Sequence, residues 1–475
     1  MTSEAKRATP RPGQEAALHE RPAELLQRLI RFDTSNPPGN ERACIEWIAQ
    51  LLRDAGLEPR IVAKDEARPS LVARIAGAGA APGLLLQGHV DVVPAKGDWA
   101  HPPFAADIAD GYIWGRGALD MKSGVAMMLA AFLRAAEADS PPPGDVVLCL
   151  VADEEAGGGM GARFLVEEHA ALFDGLRFAI GEFGGFTLDV AGRRFYPVMV
   201  AEKQQCVARA TVRGPAGHGA LPVRDGAMGR LGRLLTSLDR RRLPVHVTPV
   251  VRSMIDAMAA ELAGPAAAPL RALLRPRVAD RVLDLLGDRV RMFDALLHNT
   301  ASPTIVRGGH AANVIPSEAS VDLDCRLLPG FAPEHVFEEL RALARVDVEF
   351  EVLRFDPGPP APDMGLFATL GLILRELDPE ARPIPLLLPA VTDGRFFARL
   401  GIQTYGFLPM QLPAEMRFME LIHAEDERQL RIDRVPTGRR GLPYHRSQLS
   451  PRLSPTYVPR RQGQAGRAPP GRARH

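Results

Sequence analysis

Apolar residues in the first part of the chain recur at helical spacing. Leu25, Leu26, Leu29 and Ile30, then Ile45, Ile48, Leu51 and Leu52, predict two amphipathic helices between Pro22 and Leu57, separated by the turn SNPPGN. Short apolar runs follow: LLLQGHV at 84–90, VVLCLVA at 146–152, RFAIGE at 177–182 and QTYGFLP at 403–409. Each leads into a loop or a helical stretch. Such alternation predicts an α/β fold with a largely parallel, buried sheet flanked by helices. From Glu202 to Phe355 the pattern changes. CVARATVRG and ASVDLDCRL alternate as half-exposed strands do, and the stretches near Leu231 and at 277–297 look helical. This segment reads as an inserted α+β lid domain. The Pro-rich FDPGPPAPDMG then returns the chain to a helix over MGLFATLGLILREL. The expected organisation is a polar extension at 1–20, a catalytic domain at 21–202 and 357–435, a lid or dimerisation domain at 203–356, and a basic tail at 436–475.

Composition narrows the classes. The chain has 475 residues, 46% of them hydrophobic, enough for two or more cores. Its formal net charge of +1 excludes an evidently basic nucleic-acid binder. The balance is uneven, since the segment from Pro436 carries nine arginines, no lysine and no acidic residue. That tail reads either as a shifted reading frame or as a disordered basic extension able to contact nucleic acid or acidic partners. Four cysteines lie far apart without a CxxC pair, which predicts reduced, buried thiols. No stretch resembles a secretory signal or a bilayer span, so a cytoplasmic protein is expected.

Candidate chemistry gathers at the ends of the apolar runs. His89 ends one in GHVDVVP, with Asp91 two positions on and on the same side of a strand. Asp120 stands just before the helix MKSGVAMMLAAFLRAAEA, where an acidic residue also serves as an ordinary helix cap. Asp153, Glu154 and Glu155 follow VVLCLVA, and Glu182 follows RFAIG. Functional residues of open α/β sheets collect at the carboxyl ends of strands, so these placements point to one common site.

The ordered motifs GHVDVVP, GRGALDMKSG, ADEEAGG, GHGALP, NVIP, DCRLLPG, TDGRFF and IHAEDER resemble those of the dizinc amidohydrolases. That family includes carboxypeptidase G, acetylornithine deacetylase, succinyl-diaminopimelate desuccinylase and aminoacylase. The resemblance runs from about Arg21 to Asp433. It implies that Asp120 bridges two ions, His89 and Glu182 completing one ligand set and Glu155 and His423 the other. Imidazole and carboxylate ligands suit two zinc ions, with cobalt or manganese as substitutes. By the same resemblance a metal-bridging hydroxide is the nucleophile, Glu154 the general base, and Asp91 the residue that fixes the tautomer of His89. His218 is implied as an oxyanion stabiliser reaching into a neighbouring subunit, hence a homodimer. Asn313, Arg326, Thr392 and Gly394 fall at substrate-binding positions, although Arg326 also fits an intradomain salt bridge. PAVTDG departs from the family, which commonly has a double glycine before the threonine.

Amino-end peptidases resembling this family carry Asp where this chain has Glu182. The expected activity is therefore hydrolysis of an amide or peptide bond beside a free carboxylate, on a small N-acyl amino acid or peptide. A silent member, retained for binding or scaffolding, is the alternative.

Overall fold

The computed structural model describes residues 16–430 apart from 263, 288–290, 414, 415 and 417. The first fifteen residues of the expected extension, and the whole basic tail with both of its readings, lie outside the described residues.

The two amphipathic stretches form the helices Pro22–Ile30 and Arg42–Asp54, with every apolar position that set the pattern buried. The apolar runs enter a nine-stranded sheet. Its path is Arg60–Val62, Ser70–Ile75, Val146–Val151, Gly83–His89, Leu176–Gly181, Gln403–Gly406, Arg193–Glu202 and Arg382–Leu388, with Leu188–Val190 folded back on Arg193–Glu202. The four strands from Val146–Val151 to Gln403–Gly406 run parallel. Antiparallel neighbours flank that block on both sides. The expected mixed, largely parallel architecture is observed.

Both faces of the parallel block are covered, which is why its sequences read as continuous apolar runs. Leu148 and Leu150 face the core built with Leu29, Ile48, Val125 and Leu129. Val147, Cys149 and Val151 face the opposite core with Leu165, Phe396 and Phe397. Period-two alternation thus survives inside an unbroken hydrophobic run.

A second sheet of four antiparallel strands, Thr300–Gly308, Glu318–Leu327, Gln204–Arg213 and Glu349–Asp356, carries its own core under the helices Ala227–Arg240 and Pro333–Ala344. Burial along Gln204–Arg213 alternates, as its sequence does. The helices between Pro249 and Leu297 behave differently. Val251, Met254, Ile255 and Met258 join the first core and pack against Arg382–Leu388, so this part of the 203–356 segment covers the large sheet instead of the small one.

Gln204 ties the two crossings between the sheets. Its side-chain amide donates to the carbonyls of Leu328 and Phe331, and its carbonyl accepts the Gly358 N–H at 3.0 Å. All four cysteines are buried and unpaired. No helix among the described residues is long and apolar enough to cross a membrane.

Candidate dinuclear metal centre

Three parallel neighbours deliver side chains to one edge of the large sheet. Gly83–His89 ends at His89, in register with Val151, and Leu176–Gly181 is followed at once by Glu182. After Val151 the chain turns through Asp153, whose φ of 71° is left-handed, into a short 3₁₀ turn carrying Glu154 and Glu155. Asp120 arrives from the loop before the helix Lys122–Ala136. That helix has Met121 at its N-cap and no side-chain cap bond, so Asp120 is not spent on capping. His423 comes from the other end of the chain, just past the short helix Phe418–Leu421.

Asp120 is the shared member. One oxygen, Oδ1, lies 3.2 Å from His89 Nε2, and Oδ2 lies 3.3 Å from His423 Nε2. Each imidazole has a second carboxylate: Glu182 is 3.6 Å from His89 and Glu155 is 3.1 Å from His423. Two groups of potential ligand atoms result, His89–Asp120–Glu182 and Asp120–Glu155–His423, each gathered within 4.8 Å. The first is buried. In the second the His423 side chain is 49% exposed.

The donor set fits two divalent ions. Nitrogen and carboxylate oxygen atoms at such spacing suit zinc, and Glu155 Oε1 is buried with no hydrogen-bond partner. Carboxylates also outnumber the cations beside them. Burial, with the charge of Glu182 nearby, drives Glu154 well above the usual carboxyl range. Burial first, and then the charge of neighbouring carboxylates, pushes Glu182 and Asp393 up to about 7. Asp120 goes the other way, because hydrogen bonds from His423 and His89 outweigh its desolvation.

Supporting residues surround these groups. The Asp91 carboxylate is fully buried and accepts Asn36 Nδ2 at 2.8 Å and the backbone N–H groups of Glu154 and Glu155 at 3.1 and 3.2 Å. His89 Nδ1 is nearest the Asp91 backbone carbonyl, 2.9 Å away, and 3.5 Å from its carboxylate. Asp91 therefore holds the turn bearing Glu154 as well as the imidazole. Arg68 bridges Asp153 and Glu41, both at 2.8 Å.

A buried clamp joins the two distant ligand segments. Glu427 accepts from Arg116 at 2.6 Å and from the N–H groups of Gly117, Leu119 and Asp120 at 2.7 to 3.1 Å. Arg116 also donates to the His423 carbonyl at 3.2 Å. Neither residue was singled out in the sequence. Arg116 is the one basic residue in GRGALD, but Glu427 is one of three acidic residues in HAEDER, so neither motif marks the pair.

The remaining candidates lie elsewhere. His218 and Asn313 come together on an exposed two-stranded ribbon, where Gly219 N–H donates to the Asn313 carbonyl at 2.8 Å. Among the described residues no hydrogen bond or ion pair links either to the five ligand candidates. Arg326 forms a bidentate pair with Asp324 at 2.9 and 3.0 Å, the salt-bridge alternative of the sequence reading. Thr392 is buried: its N–H donates to Glu202 at 2.7 Å, its carbonyl accepts Arg395, and its hydroxyl accepts the Gly394 N–H. Beside it both oxygens of buried Asp393 lack partners.

Residues 85–442 match the family model described as Peptidase family M20/M25/M40. The chain belongs to this family. Membership bears out the resemblance carried by the motifs and makes the chain a hydrolase of the metallopeptidase and amidohydrolase class. A probable carboxypeptidase S-like 2 of Dictyostelium discoideum is 28% identical over 363 residues, 73% of this chain and 67% of that protein. A human N-fatty-acyl-amino acid synthase/hydrolase, PM20D1, is 29% identical over 70% of this chain and 67% of its own length. A succinyl-diaminopimelate desuccinylase of Paracoccus denitrificans is 44% identical, but over 32% of this chain and 39% of its own length. The alignments thus span from about two fifths to about two thirds of these relatives. The M20 metallo-carboxypeptidase of Sulfolobus solfataricus shares the fold, with a TM-score of 0.61, 18% identity, and 87% of this chain and 95% of that one covered.

Proposed function

We propose that this M20 member hydrolyses an amide or peptide bond adjacent to a free carboxylate, as an N-acyl-amino-acid deacylase or a carboxypeptidase-like enzyme. The observation that carries the reading is Asp120 with its two oxygens turned to two histidines, each histidine backed by its own carboxylate. Two divalent ions in these groups, zinc first and cobalt or manganese as substitutes, supply Lewis acidity and a water acidified toward neutral pH.

Glu154 is the general base. Its raised proton affinity, set by burial and by Glu182, suits a carboxylate that takes a proton from water and returns it to the leaving nitrogen. Asp91 keeps it in place through the backbone of the 154–155 turn. Thr392 and Gly394, on a buried loop, and Asn313 and Arg326, on the second sheet, are the proposed substrate-side residues.

The proposed assembly is a homodimer. Thr300–Gly308 is an edge strand of the second sheet, and its Ile305 and Val306 are 50% and 56% exposed. Pairing of that edge with a second copy is the assembly that the reading of His218 as an oxyanion residue for the partner's site requires. A cytoplasmic location belongs to the same reading.

The test is release of free amino acid from a panel of N-acyl amino acids and dipeptides by metal-stripped, zinc-restored and Glu154→Ala protein. Turnover that needs zinc and is abolished by the substitution is the expected result. Folded, zinc-loaded protein that hydrolyses none of the panel would refute it and return the silent alternative.

A further inference from the structure

The turn that carries Glu154 and Glu155 is held at its two ends by groups of opposite charge. Its N–H groups face the Asp91 carboxylate. At its far end the Gly157 carbonyl accepts Arg395 Nη2 at 3.2 Å and Arg354 Nη2 at 3.4 Å. Arg395 belongs to the TDGRFF segment, and Arg354 to the second-sheet strand Glu349–Asp356. The Arg395 side chain is 4% exposed; its Nη1 donates to the Thr392 carbonyl at 2.7 Å, and its Nε lies 3.8 Å from Asp356. Asp356 also pairs with Arg354 at 2.7 Å and with Arg399 at 3.0 Å.

Local sequence brings these pieces so close. Gly158 has a φ of +73°, and a Cβ there would fall 2.6 Å from Asp393 Oδ1 and 2.7 Å from the Phe396 ring. Glycine therefore lets the turn rest directly on the short helix Gly394–Phe397. From Gly157 two peptide units lead back to the proposed base. The Gly157 carbonyl and the Gly158 N–H share one peptide plane, and that N–H donates to the Asp153 carbonyl at 2.6 Å. The Asp153 carbonyl and the Glu154 N–H share another, and that N–H reaches Asp91 at 3.1 Å. Arginine at one end and aspartate at the other thus fix both planes with charge-assisted bonds.

We propose that Arg395 is a positioning residue for Glu154, with Arg354 as its weaker second, and that it acts on the reaction without touching substrate. The proposal rests on the reading of Glu154 as the general base. Such a base works only within hydrogen-bond reach of the proton it takes, so tilting these two peptide planes moves the Glu154 carboxylate off the attacking water. Both Nη atoms of Arg395 donate to backbone carbonyls, and the side chain is shielded from solvent, so it is not placed to meet substrate. Because Arg354 comes from the second sheet, the docking of that sheet on the large one enters the geometry of the site through the same Gly157 carbonyl.

The experiment compares Arg395→Ala, Arg354→Met and Arg399→Met. The last is the control, since it too removes a partner of Asp356 but no bond to Gly157. Zinc-loaded proteins are assayed on the fastest substrate of the N-acyl amino acid and dipeptide panel, and backbone hydrogen exchange is followed on the metal-stripped proteins. Arg395→Ala should lower kcat about 10- to 100-fold, as expected for a reacting group displaced by up to about 1 Å, while KM stays within about twofold. Arg354→Met should cost roughly threefold in kcat, its bond to Gly157 being the longer one, and Arg399→Met should leave kcat unchanged. In Arg395→Ala the amides of 154–158 should lose protection while those of Val146–Val151 keep theirs. A parental kcat, a rise in KM alone, protection lost equally in turn and strand, or equal effects of Arg354→Met and Arg399→Met would overturn the proposal. If the parent turns over no panel substrate, the hydrolase reading falls and exchange alone decides: loss confined to the turn supports the positioning by Arg395, and unchanged protection overturns it. If Arg395→Ala does not fold, the contrast between Arg354→Met and Arg399→Met decides.

Discussion

Glu427→Ala should damage this protein far more than its distance in sequence from Asp120 suggests. The Glu427 carboxylate meets four donors, the Arg116 guanidinium and three backbone N–H groups of the loop that presents Asp120. All of this is shielded from water, Arg116 being 2% exposed and Glu427 0%. Truncation leaves a buried guanidinium without its counter-charge, a loss of about 3–5 kcal/mol for a broken buried pair. The freed amides add to it if no water reaches them, at about 1–3 kcal/mol each when left wholly unsatisfied. Against a total stability of roughly 5–15 kcal/mol that is a large fraction.

Urea unfolding of metal-stripped protein measures the loss, and zinc titration measures its consequence. Metal affinity should fall by about 10- to 100-fold, the usual effect of removing a partner that orients a ligand. The double substitution Arg116→Met with Glu427→Leu separates the two effects. Replacing a buried ion pair by apolar groups of similar volume is often neutral, so the part of the loss due to the unpaired guanidinium should return while the cost of the freed amides remains. The N–H groups of Leu119 and Asp120 would still lack their acceptor, so zinc affinity should stay low. If Glu427→Ala unfolds within about 1 kcal/mol of the parent and binds two zinc ions undiminished, the reasoning fails.

Asp91→Ala should lower zinc affinity about 10- to 100-fold and also lower kcat beyond what added zinc restores, since it frees the turn that carries Glu154; full rescue by zinc would count against the second role. Burial pushes the Lys203 ammonium down from 10.5 to about 7. Its folded-state value lies below the unfolded one, so the folded form binds fewer protons and stability should rise between pH 7 and 10.5. Urea midpoints across that window should show a flatter slope for Lys203→Met, and an unchanged slope would refute the assignment. Ile305→Lys with Val306→Lys should yield monomers in sedimentation and lower activity; a dimer that persists would place the interface elsewhere. Chelator titration should remove zinc in two steps, and His423→Ala should keep about one zinc per chain with raised affinity for none; loss of both ions together in that variant would contradict the geometry.

Much of the site was legible because its parts sit where sequence patterns end. His89 and Glu182 close apolar runs, Glu155 follows a third by one short turn, and adjacent parallel strands bring those ends to one edge. His423 follows no such run, and it was found through the motif resemblance alone. The clamp was illegible for a different reason. Arg116 and Glu427 are 311 positions apart, and nothing local distinguishes a paired buried charge from a solvated one. The helices at 249–297 show a similar limit. An amphipathic face announces that it will be buried but not against which sheet, and here Met254 and Met258 chose the large one. Arg326 was the easier case, since Asp324 two residues away must share its face of the strand.

The two candidate metal groups are built on different foundations. His89 and Glu182 hang from adjacent parallel strands with both faces covered, and packing alone fixes them. The Asp120–Glu155–His423 group instead joins a loop, a turn and a segment some 300 residues further along the chain, and it exists only when those pieces dock. Two sets of hydrogen bonds make them dock: Asp91 with the N–H groups of Glu154 and Glu155, and Arg116–Glu427 with the Asp120 loop and the His423 carbonyl. Neither set touches the ligand atoms of the second group. Both spend buried charge on backbone N–H and carbonyl groups, which fixes where a loop lies while leaving its side chains free to bind. Asp120 belongs to both groups, so disturbing its loop weakens the sheet-built group as well. That shared dependence is why the clamp, and not the more exposed His423, is the residue pair whose loss should affect both ions.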